Sequence, residues 1–188
     1  MIDLSIVIVS FNTKDFLKNC IQSIYDTAKD FSFEIVVVDN DSKDGSAEFI
    51  EKEFKDVILI KNKENFGFSK ANNIGIKKTT GNYVLFLNSD TIVHENTLKE
   101  MIKFMDEHEK VGAATCKVLL SNGKLDDASH RGFPTPWNAL THFSGVSKVL
   151  GSTKLFGGYN LGYLSLEKEH EIDALAGAFM FVRKKAGE

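Results

Sequence analysis

The sequence predicts a doubly wound α/β domain, in which a mainly parallel sheet has helices on both faces. Short runs of almost wholly apolar residues alternate with segments whose apolar residues recur at helical spacing. A strand that is apolar at every position is typical of a parallel sheet buried between two layers of helices. Three of these runs also end in polar residues, and ligands of such sheets bind beyond the carboxyl ends of the strands.

Four strand–helix units are predicted in the first 110 residues. The strands are expected at residues 4–9, 34–39, 57–60 and 83–88. Residues that favour helix starts precede the first two helices: Asn12 or Thr13, and Ser42 or Asp44. The third helix, over residues 67–78, contains Gly75, which weakens it.

The remaining third of the chain has a weaker pattern. One or two strand segments are expected within residues 111–120, and residues 121–124 have the sequence of a hairpin turn. Residues 129–169 are rich in glycine, serine and aromatic residues, with little periodicity, which is typical of a functional or mobile loop. Phe143 and Phe156 in this segment are expected in the core rather than on a ligand surface. Residues 171–183 are again apolar.

Composition excludes several classes of protein. A net charge of −3 argues against a nucleic-acid-binding protein, which usually has a basic excess. The amino terminus lacks the basic start and cleavage site of a signal peptide, and no apolar run is long enough to span a bilayer. The chain is therefore expected to be cytoplasmic, with peripheral contact at the inner face of the cell membrane left open. Cys20 and Cys116 are expected as buried thiols rather than as a disulfide.

The polar residues at the strand ends are the candidates for chemistry. Asp90 follows the strand at residues 83–88, where a carboxylate and the oxygens of a substrate diphosphate would suit a hard cation. The alternative is that Asp90 caps the next helix. Asp39 is placed to accept a hydrogen bond from a nucleobase imide or a ribose hydroxyl, although residues 39–44 are also rich in turn formers.

A glycine turn precedes the third helix. In residues 65–75 this turn is followed by one lysine and two amides, and helix amino termini of this kind meet phosphate oxygens. An exposed polar helix with no ligand is the alternative. The chain has no G-x-G-x-x-G after its first strand and no G-x-x-x-x-G-K-[ST], which excludes a dinucleotide-binding Rossmann site and a P-loop.

Four ordered motifs resemble those of the family 2 glycosyltransferases, which are inverting enzymes of the GT-A fold. They lie at residues 5–12, 36–46, 65–75 and 85–90, and the resemblance covers essentially the whole chain. It implies a Rossmann-like, mainly parallel sheet in a single catalytic domain over residues 1–188. The nucleotide-sugar-binding half would be 1–120, and part of the acceptor-binding half 121–188. The Asn-Ser-Asp-Thr sequence at 88–91 and residues 173–180 are similar to the rhamnosyltransferase-like branch, which builds bacterial cell-surface polysaccharides.

The resemblance also implies roles for individual residues. Those expected around the nucleotide are Ser10, Phe11, Asn12, Asp39, Asp41, Asn65, Gly67, Lys70, Asn88 and Ser89. Gly177 and Ala178 would lie near the donor sugar and the acceptor. Asp90 matches the last carboxylate of the D-x-D motif, which binds the divalent cation, Mg²⁺ or Mn²⁺. Asn88 replaces the first aspartate of that motif, so no direct metal binding is expected there.

The resemblance also implies a general base. In the family it is an acidic residue beyond the segment that follows Arg183, and this chain is expected to be a truncated fragment that lacks it. Asp173 is the weaker candidate, because it matches an aspartate that opens the Asp-Ala-Leu-Ala-Gly-Ala segment. Such a fragment would bind a nucleotide sugar and transfer sugar poorly.

The implied reaction moves a sugar from a nucleoside-diphosphate sugar to a saccharide or lipid-linked acceptor, with inversion. Two other functions stay open. One is a non-catalytic module that binds a nucleotide sugar or a glycan. The other, a sugar-phosphate nucleotidyltransferase, usually has a glycine-rich basic loop after the first strand, and residues 10–14 are not one. The sequence does not indicate the oligomeric state.

Overall fold

The computed structural model describes residues 2–186, which separate into two units. The first unit runs to Cys116 and resumes at Ala178, and the second is Lys117–Gly177. The predicted division at residue 120 into two functional halves stays a prediction. Within residues 2–186, no helix is long and apolar enough to cross a membrane.

Within residues 2–186, the first unit contains six strands and four α-helices. In chain order they are β1 (Leu4–Ser10), α1 (Lys14–Thr27), β2 (Phe33–Asp39), α2 (Ser46–Glu53), β3 (Ile58–Lys61), α3 (Phe68–Ile76), β4 (Tyr83–Asn88), α4 (Thr97–Glu107), β5 (Ala113–Ala114) and β6 (Phe179–Arg183). The four predicted strands of the first half and the helices after them are all present. Of the one or two strand segments expected within residues 111–120, the structure has the two residues of β5 and an isolated antiparallel bridge between Leu119 and Leu125.

The sheet confirms the predicted α/β class. Its strand order is β3-β2-β1-β4-β6-β5. Strands β1 to β4 are parallel to one another, and β6 is antiparallel to both β4 and β5. The centre of the sheet is inaccessible to solvent, since Ile6, Val7 and Ile8 of β1 are fully buried. That burial explains why these strands are apolar at nearly every position.

Gly75 has a packing role that outweighs its low helix propensity. A Cβ atom at this position would lie 2.5 Å from Cγ1 of Val7 and 3.1 Å from Cγ2 of Val38. Helix α3 therefore approaches the sheet more closely than any other residue would allow. The glycine that seemed to weaken the helix is what lets the helix pack.

Helix α2 begins later than predicted. Neither Ser42 nor Asp44 starts it, since Gly45 has a left-handed φ of 80° and the helix begins at Ser46. The carboxylate of Asp44 instead accepts hydrogen bonds from the backbone of Ser46, at 3.0 Å, and of Lys14, at 2.8 Å. Asp44 thus joins the start of α2 to the start of α1.

The second unit contains more regular structure than its sequence predicts. The hairpin turn is confirmed, because Leu119 pairs antiparallel with Leu125. The segment at 129–169, expected to be a loop, contains two short helices, α5 (Pro136–Phe143) and α6 (Val146–Leu150). Thr135 caps α5 by accepting a hydrogen bond from the backbone of Asn138, at 3.1 Å.

The expected burial of Phe143 is wrong. Its side chain is 80% exposed, at the end of α5. Phe156 is half-buried and contacts Trp137, with ring centroids 6.0 Å apart. Aromatic character alone did not indicate which of the two rings would pack.

Candidate active site

The polar strand ends meet at one edge of the sheet. In the parallel register Ser10 lies opposite Asp39, Asp39 lies opposite Lys61, and Val9 lies opposite Asn88. The polar residues that follow β1, β2 and β4 are far apart in sequence, but they therefore form one surface beyond the carboxyl ends of the strands. This is the place where open α/β sheets bind ligands.

Asp39 presents a buried oxygen without a partner. The side chain is 3% exposed, and its Oδ2 accepts a hydrogen bond from the backbone of Ser42, at 3.0 Å. Its Oδ1 is buried and has no hydrogen-bond partner among the described residues. An unsatisfied buried acceptor is costly, and a ligand that donates a hydrogen bond would remove that cost. The turn interpretation accounts for Oδ2 but not for Oδ1.

Asn40 connects three segments of the site. Its backbone N–H donates to the carbonyl of Ser10, at 2.8 Å, and its Nδ2 donates to the carbonyl of Gly67, at 3.5 Å. Its Oδ1 accepts from Nδ2 of Asn62, at 2.8 Å. Sequence reasoning missed both asparagines, treating Asn40 only as part of a turn. The signal was an amide directly after a buried strand, where the side chain is 2% exposed.

The loop after β1 is held against the loop after β2. Asn12 has a left-handed φ of 54°, its N–H donates to Oγ of Ser42, and its Oδ1 accepts from the backbone of Lys43 at 2.7 Å. Asp41 forms an ion pair with Lys43 at 2.6 Å, which agrees with the turn interpretation of Asp41. Phe11, which precedes Asn12, is 46% exposed.

A chain of hydroxyl groups joins two of the tips. Oγ of Ser10 lies 3.0 Å from Oγ1 of Thr13, which donates to Oγ of Ser89 at 3.1 Å. Ser10 and Ser89 are both buried. Their hydroxyls therefore hold β1 and β4 in place.

The turn before α3 brings together Asn65, Gly67 and Lys70, whose phosphate-binding role stays a prediction. The N–H of Gly67 donates to Oδ1 of Asn65, at 2.9 Å. Gly67 has a φ of 75°, and the space where a side chain would stand is open. The Nζ of Lys70 lies 3.6 Å above the ring of Phe66, a cation–π contact that leaves its charge at the surface.

Asp90 does not cap a helix. Helix α4 begins at Thr97, with Asn96 as the residue before it, so the capping alternative for Asp90 is wrong. The Asp90 side chain is exposed and has no hydrogen bond or ion pair with the rest of residues 2–186. Beside it, the backbone of Asn88 donates to the carbonyl of Ala178, at 3.1 Å, which places Ala178 at the same edge of the sheet.

The protein supplies few metal ligands at this edge. No group of three or more His, Cys, Asp or Glu side chains that would hold a metal ion occurs in the part of the chain that the structure describes. A single free carboxylate fits a hard cation that takes its other ligands from substrate phosphates and water. Asp90 meets that description, and Mg²⁺ or Mn²⁺ would suit its oxygen.

Asp173 lies in the second unit, where it has a structural partner. Its Oδ2 accepts a hydrogen bond from the backbone of Phe133, at 3.0 Å, next to the antiparallel bridge between Arg131 and Ala174. The side chain is exposed, and Gly177, which was expected near the donor sugar, is half-buried.

The two cysteines are free, as predicted. Burial raises the pKa of the Cys20 thiol to about 12, and burial raises that of Cys116 to about 11. Thiols with such values are protonated at neutral pH and are poor nucleophiles. Neither cysteine is a candidate for covalent catalysis.

Comparison with known proteins identifies the family. Residues 5–166 match the model of glycosyl transferase family 2. The minor teichoic acid biosynthesis protein GgaB of Bacillus subtilis is 34% identical over 131 residues, which are 66% of this chain and 14% of GgaB. The poly(ribitol-phosphate) beta-N-acetylglucosaminyltransferase TarS of Staphylococcus aureus is 30% identical over 141 residues, which are 71% of this chain and 23% of TarS. The chain thus spans about a quarter or less of these relatives.

Solved structures show the same fold. The crystal structure of TarS 1-349 with UDP-GlcNAc superposes with a TM-score of 0.58 at 28% identity, covering 73% of this chain and 38% of that one. A mannosyltransferase of Pyrobaculum calidifontis, in complex with GDP-Man and Mn²⁺, gives a TM-score of 0.61 at 18% identity over 97% of this chain and 44% of that one. The sheet and its helices have the GT-A architecture, and the chain belongs to glycosyl transferase family 2.

Proposed function

We propose that this chain carries the nucleotide-sugar-binding part of an inverting glycosyltransferase that acts in cell-surface polysaccharide synthesis. The observation that carries the proposal is the buried, unpartnered Oδ1 of Asp39 at the ligand-binding edge of the sheet. A carboxylate oxygen accepts hydrogen bonds only. Its partner must therefore be a donor, such as the imide N–H of a nucleobase or a ribose hydroxyl.

The other nucleotide contacts follow from the groups that surround Asp39. Phe11 offers an exposed ring on which a base can stack, next to Asn12 and Asp41. The space beside Gly67, which has no side chain, lets the phosphates approach, and Lys70 offers them a cation. The buried hydroxyls of Ser10 and Ser89 are linked through Thr13. We assign them a supporting role, in which they fix the ends of β1 and β4.

Asp90, with Asn88 beside it, is the proposed metal position. Asp90 would hold a divalent cation together with the diphosphate of the donor. A bound cation supplies charge stabilisation to the departing nucleoside diphosphate. The neutral amide of Asn88 leaves Asp90 as the principal protein ligand.

The sugar and the acceptor are assigned only by class. GgaB is named for teichoic acid biosynthesis, TarS is named as a poly(ribitol-phosphate) beta-N-acetylglucosaminyltransferase, and TarS is solved with UDP-GlcNAc. These names support a hexosyl donor and a saccharide or lipid-linked acceptor in the cell envelope. Similarity of residues 88–91 to the rhamnosyltransferase-like branch supports a deoxyhexose donor instead. Gly177 and Ala178 are proposed to lie near the transferred sugar.

The base that deprotonates the acceptor hydroxyl is an acidic residue. Asp173 stays a candidate within this chain. Its hydrogen bond from the backbone of Phe133 equally suits a purely structural residue. Transfer that is lost in Asp173→Asn, with folding and nucleotide binding retained, would assign the base. Nucleotide binding without any transfer would favour the non-catalytic binding module.

The experiment that tests the proposal is isothermal titration calorimetry of the purified chain with UDP, dTDP and GDP, each with Mg²⁺, with Mn²⁺ and with EDTA. At least one nucleotide should bind. Asp39→Asn should weaken binding by about 10- to 100-fold, with or without metal, because a hydrogen bond to a charged group is lost.

Asp3→Asn is the matched control. Asp3 also accepts hydrogen bonds, from Ser32, but it precedes β1 and lies at the opposite edge of the sheet. Its substitution should leave nucleotide affinity unchanged. Equal affinities for the wild type and Asp39→Asn would remove the basis of the proposal.

A further inference from the structure

Exposed apolar side chains are concentrated in one part of the second unit. Half of the large apolar side chains that are exposed in the described residues lie between 133 and 155. The most exposed belong to α5, α6 and the turn between them, which we call the apolar hairpin (residues 136–150). Leu140, Phe143 and Val149 in it are 61%, 80% and 82% exposed. Exposed apolar clusters of this kind mark interaction surfaces.

The hairpin is an ordered structure whose other side packs within its unit. Thr141 is buried, the ring of His142 stacks on Tyr159 with centroids 4.1 Å apart, and Nε1 of Trp137 donates to the carbonyl of Leu155 at 2.8 Å. Gly145, with a φ of 80°, makes the turn between the two helices. One face of the hairpin is thereby fixed, and the other leaves its apolar side chains in solvent.

The charge of this region differs from that of the rest of the chain. No Asp or Glu occurs between Ala128 and Leu166, whereas Arg131, Lys148 and Lys154 do. The whole chain has a net charge of −3. A chain segment that has exposed apolar side chains, three cations and no carboxylates matches the surface of an anionic bilayer. There the apolar groups enter the acyl boundary and the lysines meet lipid phosphates.

We propose that the apolar hairpin docks this protein onto an anionic lipid bilayer. Leu140, Phe143 and Val149 would insert below the headgroups, with Lys148 and Lys154 at the level of the phosphates. Helices of eight and five residues are too short to span a bilayer and suit a shallow interfacial position. A second copy of the chain fits less well, since a symmetric contact would bring the same lysines together.

Docking of the apolar hairpin onto a bilayer does not depend on nucleotide binding. It is tested by sedimenting the purified chain with vesicles of phosphatidylcholine alone or mixed with phosphatidylglycerol. The protein should bind the mixed vesicles and prefer them to neutral ones, with the preference reduced by salt. The double variant Phe143→Ser/Val149→Ser should lose at least about tenfold in partitioning, because the buried apolar area is lost. Each of Lys148→Gln and Lys154→Gln should lose about fivefold.

Phe16→Ser is the matched control, since Phe16 is 62% exposed on α1, outside the hairpin. All substituted side chains are exposed, so circular dichroism and thermal unfolding should be unchanged. Equal binding of wild type and the double variant would overturn the proposal, as would a lack of preference for anionic vesicles. Concentration-dependent dimerisation that the double variant abolishes, without vesicle binding, would assign the surface to a second copy instead.

Discussion

At the scale of single residues, two aspartates at the same edge of the sheet have different surroundings. Asp39 is buried with one oxygen satisfied and one not, whereas Asp90 is exposed and has no hydrogen bond or ion pair in residues 2–186. A buried carboxylate with fixed geometry suits recognition of one donor group. An exposed carboxylate suits a cation that brings most of its own ligands.

Asp90 is proposed to bind the metal more strongly than Asn88 does, and this difference can be tested. If a divalent cation tightens nucleotide binding, Asp90→Asn should abolish that gain, because it removes the only full negative charge that the pair offers. Asn88→Ala should reduce the gain less. Calorimetric titration of the nucleotide with and without Mn²⁺ measures both effects. Equal losses in the two variants would show that the neutral amide binds the metal as strongly as the carboxylate.

At the scale of elements, the contact between α3 and the sheet depends on a single missing methyl group. Val7 and Val38 occupy the space that a side chain at position 75 would need. They belong to a buried cluster that includes Ala71 of the same helix. The site is affected because α3 begins immediately after Gly67.

Gly75→Ala should therefore destabilise the fold even though alanine favours helices. The gain in helix propensity is about 1 kcal/mol, and the strain of an overpacked core costs about 1–3 kcal/mol. A net loss of up to about 2 kcal/mol is expected in urea denaturation. In a Val7→Ala background, Gly75→Ala should cost less stability than it does in the wild type. The methyl groups of Val7 that would clash with the added Cβ are then absent. A more stable Gly75→Ala protein would show that α3 has room to move outward.

At the scale of the whole molecule, Glu34 of β2 joins β1 to the turn that precedes β4, at the edge opposite the site. Its Oε1 accepts hydrogen bonds from Oγ of Ser5, at 2.6 Å, and from Oγ1 of Thr80, at 3.0 Å, and the backbone of Thr80 donates to it as well. Burial raises the pKa of Glu34, but these hydrogen bonds outweigh burial and hold the pKa below its usual value of 4.5.

A lowered pKa makes the stability of the fold depend on pH. The contribution of Glu34 is fully present above pH 4.5, its value in the unfolded chain, and is lost as the pH falls through the lower folded value. Glu34→Gln should be less stable than wild type at pH 7, and the difference should shrink below pH 4.5. Thermal unfolding from pH 7 to pH 3 measures it, with Glu95→Gln at an exposed position as the control. A difference that is constant with pH would exclude the ionised form as the source.

The sequence alone determined the α/β class, the four leading strands and the convergence of their polar ends. These features follow from local patterns: apolar runs of strand length, helical spacing between them, and polar residues after each strand. The family resemblance came from the same segments, because they contain most of the polar residues at the strand ends.

Only the tertiary structure decided what depends on partners distant in sequence. The link from Asn40 to Ser10, Asn62 and Gly67 needs four chain segments in one place, and no local pattern contains it. The role of Gly75 in α3 depends on its contact with Val7 of β1. The exposure of Phe143 depends on where α5 packs. Periodicity reports which residues share a face of an element, whereas burial and hydrogen bonding depend on what that face meets.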